Sequence, residues 1–145
     1  MSRAQQSFEN HARVVPVFHY VGGLLFLAVF VWFGYRAGTD FSVDRLALLG
    51  LLVYVGILAW HARIFALGVQ DRVIRLEERL RLGRLLPEEL RPRISELSTP
   101  QLIAMRFASD EEVADLTARV LDGELTAQRE IKAAVRRWRP DHQRI

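Results

Sequence analysis

The chain has 145 residues, 50% of them hydrophobic and 26% charged, with a formal net charge of +3 and no cysteine. Without a thiol, disulfide frameworks, thiolate zinc sites, iron–sulfur ligation and cysteine nucleophiles are excluded. The mean hydropathy of +0.08 averages two unlike halves, an apolar one followed by a charge-dense one.

Residues 1–13 are polar and predict a short interfacial helix ahead of Pro16, which a first helical turn tolerates because its missing N–H would be unpaired there anyway. An apolar run covers 14–35 and a second covers 46–67. Each matches the roughly 20 residues a helix needs to cross a hydrocarbon core ~30 Å thick. The first run is far longer than the ~7–15-residue apolar region of a secretory signal, and no small-residue cleavage pattern is present, so it reads as a retained span. Phe18 and Tyr20 at one end of this run, Trp32, Phe33 and Tyr35 at the other, and Trp60 in the second run sit where an interfacial aromatic belt belongs. The connecting residues 36–45 (RAGTDFSVDR) hold two arginines, as does the N-terminal tail, so neither segment orients the hairpin. Arg72, Arg75, Arg79, Arg81 and Arg84 do. They fall within about 20 residues of the second span, the zone that the positive-inside rule counts, and they place both termini in the cytoplasm.

Beyond residue 67 the helical pattern continues. Val69, Val73, Leu76 and Leu80 step by 4, 3 and 4, and Glu77 and Arg81 are spaced for an i,i+4 ion pair. The second span is therefore expected to run on to about residue 82, with Gly83 and Pro87 as the stop and Pro87-Glu88-Glu89 opening a short helix. Further starts are predicted at Thr99-Pro100, at Ser109 with Glu112 in capping-box spacing, and at Thr126, whose helix should reach Trp138 before Pro140. Gly123 sits where a left-handed C-terminal residue belongs. No strand-like alternation appears. The expected fold class is all-α: a transmembrane helical hairpin whose second helix extends into a small cytoplasmic helical domain over 68–145.

His19 and His61 are the candidate cofactor ligands. Measured from the centre of the connecting loop, at 1.5 Å per residue, their depths differ by about 1.5 Å. Imidazoles on adjacent helices can hold haem, and a single one can hold a chlorophyll-type pigment; the competing reading is that both occupy the interfacial zone without a ligand. Arg63 lies near the inner end of the second run, placed either to snorkel to lipid phosphates or to pair with a partner subunit. Gly22-Gly23, Gly50, Gly56 and the Gly34–Gly38 spacing allow close helix approach.

In the tail, Arg72, Val73, Leu76, Leu80, Arg136, Arg137 and Trp138 are the candidate partner- or lipid-contacting residues. The 127–138 helix is expected to bury Ile131, Ala134 or Val135, and Trp138, and to leave Arg129, Lys132, Arg136, Arg137 and Arg139 outside. From Val69 onward, fifteen Lys and Arg face fourteen Asp and Glu, a balance that argues against a nucleic-acid footprint although a membrane-tethered nucleic-acid binder stays an alternative. Asp110, Glu111, Glu112 and Asp115 cluster in a first helical turn, where capping and the helix dipole account for them. No glycine loop, Ser/His/Asp ordering or HExxH spacing is present.

Four blocks, NHARVVPVFHY, ARIFALGVQDRVIRLEERLRL, QLIAMRFASDEE and EIKAAVRRWRPDHQR, together resemble an uncharacterised family of small bacterial two-span membrane proteins, a domain of unknown function. The resemblance implies the same topology and brings no activity or cofactor with it. The residue pattern, a hairpin too small to enclose a transport path and an apolar stripe beyond the bilayer, predicts a bacterial inner-membrane protein that is a non-enzymatic accessory, scaffold or assembly subunit, in contact with the bilayer and with other membrane subunits or a second copy of itself.

Overall fold

The computed structural model describes residues 7–8 and 15–141. Most of the segment expected to form an interfacial helix, and Val14 of the first span, lie outside those residues. Pro16 precedes a six-residue π-helical turn, Val17–Gly22, which leads into α1, Gly23–Thr39. Asp40 breaks α1 with a non-helical backbone, and Ser42 opens α2, Val43–Leu85, accepting the Arg45 N–H on its hydroxyl at 3.3 Å. The Asp40 carboxylate takes Arg36 at 3.5 Å and Arg45 at 2.5 Å, so both arginines of this connection are matched by one acid.

The chain divides into two compact units, one over 13–66 and one built on 67–145, with the division falling inside α2. In the first unit no residue of α1 is buried. A β-carbon on Gly56 would stand 3.0 Å from Phe26 Cζ, so the ring lies on bare backbone. A β-carbon on Gly34 or Gly38 would meet nothing within 4 Å.

In the second unit, the helix stop comes later than expected. Gly83 is interior to α2, and Leu86, just beyond the helix end, is buried beside Leu82. Burying those two leucines outweighs the ~1 kcal/mol that a mid-helix glycine costs relative to alanine. Residues 88–90 form turns and not the expected helix; a 3₁₀ segment, Arg91–Glu96, follows. Ser98, not Thr99, caps α3, Thr99–Met105, with Gln101 Oε1 accepting the Ser98 N–H at 2.8 Å in a capping box. Helix α4, Val113–Leu121, ends at Asp122, and Gly123 takes a φ of +82°. The Glu124 N–H reaches Arg119 O at 3.0 Å and the Gly123 N–H reaches Val120 O at 3.2 Å, the bond pair of a Schellman motif.

Helix α5, Gln128–Ala134, starts after Ala127 with the Glu130 carboxylate accepting the Ala127 and Thr126 N–H groups at 3.0 and 3.2 Å. Those two bonds hold the Glu130 carboxyl below its usual 4.5. The helix does not reach Trp138. Val135 is extended, and the chain pairs antiparallel with residues 107–109: the Arg139 N–H reaches Phe107 O at 2.7 Å and the Ser109 N–H reaches Arg137 O at 3.0 Å. Leu82, Leu86, Leu97, Leu102, Met105, Val113, Leu116, Ile131 and Val135 form one core.

Candidate interaction surface

Helix α2 carries two apolar faces beyond residue 67. Ile74, Glu78 and Leu82, four residues apart, are buried at 6%, 4% and 0% exposure, Leu82 in the core of the small domain and Glu78 on Arg81 and Arg139. Val69, Val73, Leu76 and Leu80 are 63%, 49%, 60% and 56% exposed. At roughly 100° per residue the mean directions of the two sets lie about 180° apart, so the domain covers one side of the helix and the stripe is its far side. The 3.6-residue repeat finds Val69, Val73, Leu76 and Leu80 readily. It misses the buried face, because a glutamate sits in the middle of it.

That glutamate is held by charge. The Glu78 carboxylate receives Arg81 at 3.0 Å and Arg139 at 3.6 Å, yet burial outweighs both and pushes the Glu78 carboxyl above its usual 4.5. Arg81 is the hub: it also donates to Asp110 at 2.6 Å and to Ala108 O at 2.7 Å. The expected Glu77–Arg81 pair is not formed, because this tertiary network claims the guanidinium. Glu77 and Arg72 are both exposed and make no ion pair among the described residues.

The acidic cluster has structural partners. Asp110 anchors Arg81, and the Glu112 carboxylate accepts the backbone N–H groups of Ser109, Arg136 and Arg137 at 3.3, 3.1 and 3.0 Å. This clamp takes residues 136 and 137 out of a helix. Arg136 and Arg137 point outward from an extended segment, Arg137 lying 3.6 Å from Glu111. Trp138 is half-buried, its ring 4.8 Å from that of Phe107. Arg106, 6% exposed, lies 4.4 Å over the same Phe107 ring and 3.2 Å from Asp141. Sequence reasoning gave no role to Arg106, Asp141 or Phe107, since their partners are distant in the chain.

In the first unit, His19 and His61 are both exposed. His61 Nδ1 lies 2.9 Å from Ile57 O, and His19 Nδ1 lies 3.0 Å from Val15 O, so each ring is engaged by its own helix four residues back. Phe18 packs edge-on to His19 at 5.2 Å and Phe65 to His61 at 5.9 Å. The Phe26–Gly56 contact sets the level of α1 against α2 and puts the two histidines about 3 Å apart in height. Among the described residues no three His, Asp or Glu side chains gather as a metal-ligand group. Arg63 is half-buried on α2.

These features define a mostly helical protein with two helices long and apolar enough to cross a membrane, Val17–Thr39 and Val43–Leu85. The chain belongs to DUF6526, a family of unknown function, whose model matches residues 1–145. No curated protein and no solved structure matches it.

Proposed function

We propose that this protein is a two-span subunit of a bacterial inner membrane, with both termini in the cytoplasm, and that it serves as a non-enzymatic accessory or scaffold in a larger membrane assembly. One observation carries the reading: the exposed Val69, Val73, Leu76 and Leu80 face, which the chain's own domain leaves uncovered on a helix it otherwise packs against. A continuous apolar stripe of this kind marks an interaction surface. The five arginines between residues 72 and 84 support the orientation.

Purification in mild detergent tests the proposal. The full-length chain is expected to leave the membrane fraction with stoichiometric copies of a partner, another chain or itself, and Val73→Glu with Leu76→Glu is expected to strip that partner away. Isolation as a lone monomer under all mild conditions, or retention of every partner by the doubly charged variant, would remove the basis for the scaffold role.

A further inference from the structure

The exposed stripe has the spacing of a coiled-coil seam, and one pair of its flanking charges, Arg72 and Glu77, is complementary to that of a second copy. In heptad terms Val73 and Leu80 occupy a, Val69 and Leu76 occupy d, Arg72 and Arg79 occupy g, and Glu77 and Arg84 occupy e. The residues that meet the small domain, Glu78, Arg81 and Leu82, then fall on f, b and c, and the buried Ile74 on b, the positions that face away from a coiled-coil partner. The domain is thus packed where it leaves the seam open.

The geometry points to a parallel homodimer of α2 through this seam, with Arg72 of one copy paired to Glu77 of the other. In a parallel two-stranded coil a g residue faces the e residue five positions later on its partner, and Arg72 and Glu77 stand at that separation. Both are exposed and make no ion pair among the described residues, since Arg81 is committed to Glu78 and Asp110. An antiparallel arrangement sets g against g and so brings Arg72 toward Arg79. The next parallel pair, Arg79 with Arg84 of the partner, is repulsive, so the Arg72–Glu77 pair fixes the register and the second pair tempers affinity. Parallel alignment further rests on the membrane reading: two copies tethered by the same spans enter the cytoplasm in the same direction. The tether also raises their effective concentration, which a seam of only about two heptads requires.

The chain's lack of cysteine makes the test direct. Single variants Val69→Cys, Val73→Cys, Leu76→Cys and Leu80→Cys of the full-length protein, with Asp71→Cys and Arg75→Cys as controls at f and c, are mildly oxidised in native membranes. A disulfide needs Cα atoms within about 7 Å. Bands of twice the monomer mass are expected at the four stripe positions and not at the two controls. Adding Glu77→Arg to Val73→Cys is expected to lower the dimer fraction by about tenfold, adding Arg72→Glu to that variant to restore it, and Arg84→Glu alone to raise it. Equal cross-linking at Asp71→Cys or Arg75→Cys, no dimer band at all, or no rescue by the double charge exchange overturns the inference. Adducts at the stripe with a different chain overturn self-pairing while leaving the scaffold reading standing. Recovery of the protein outside the membrane fraction removes the shared tether, and with it both the membrane reading and the parallel assignment.

Discussion

Arg81 and Glu78 show how little a buried charge says until its partners are counted. Glu78 is desolvated and only partly compensated, whereas Arg81 answers Glu78, Asp110 and Ala108 O at once. Removing each is expected to give unequal results. Arg81→Met leaves a buried carboxylate with Arg139 alone and is expected to destabilise the small domain by about 3 kcal/mol, the cost typical of breaking a buried pair. Glu78→Gln keeps an acceptor without the buried charge, and its melting temperature at neutral pH is expected to stay within about 2 °C of the parent. The sign of the pH effect follows from the raised carboxyl. Its favourable contribution is complete below 4.5 and is lost as pH rises through the raised folded value, so Glu78→Gln should flatten that decline. Glu130, whose carboxyl is lowered, acts in the reverse sense, contributing above 4.5 and losing that contribution on acidification. Thermal melts of the full chain in detergent from pH 4 to 8 check both; a large destabilisation by Glu78→Gln would refute the assignment. None of this is legible in the sequence, where the Glu77–Arg81 spacing looks the better pair and only tertiary packing shows that Arg81 turns the other way.

At the scale of elements, local signals worked where the structure is local. The two apolar helices, the proline-led start of α3 and the Gly123 turn all follow from residues within a few positions of one another. The end of α5 does not. Ile131, Val135 and Trp138 keep helical spacing, and all three are buried or half-buried as a helix would bury them, but the backbone N–H groups of Arg136 and Arg137 go to Glu112, more than twenty residues earlier. Glu112→Ala is therefore expected to free the C-terminal segment without unfolding the core. Hydrogen exchange should show lost protection at Arg136, Arg137 and Arg139 and a cost of about 2 kcal/mol, since a bond to a charged acceptor is worth roughly 1.5–3 kcal/mol. Unchanged protection at those amides would show that the bridge between Ala108 and Trp138 holds the segment unaided.

For the molecule as a whole, α2 is the decisive element. It belongs to both compact units, buries one face against the small domain and leaves an opposite apolar face bare. Periodicity alone identified that bare face. That the chain's own tail leaves it uncovered was not legible, because the face the tail does cover is interrupted by Glu78 and Arg81 and looks polar until their partners are in place. The most direct measurement of the central claim is the labelling rate of Val73→Cys by a membrane-impermeant maleimide, compared with that of Glu88→Cys at an exposed turn position in the same native membranes from opened cells. If the stripe is an occupied interface, Val73→Cys labels many-fold more slowly than Glu88→Cys in the membrane and catches up once detergent separates the assembly. Labelling of Val73→Cys in the intact membrane as fast as that of Glu88→Cys would contradict an occupied interface.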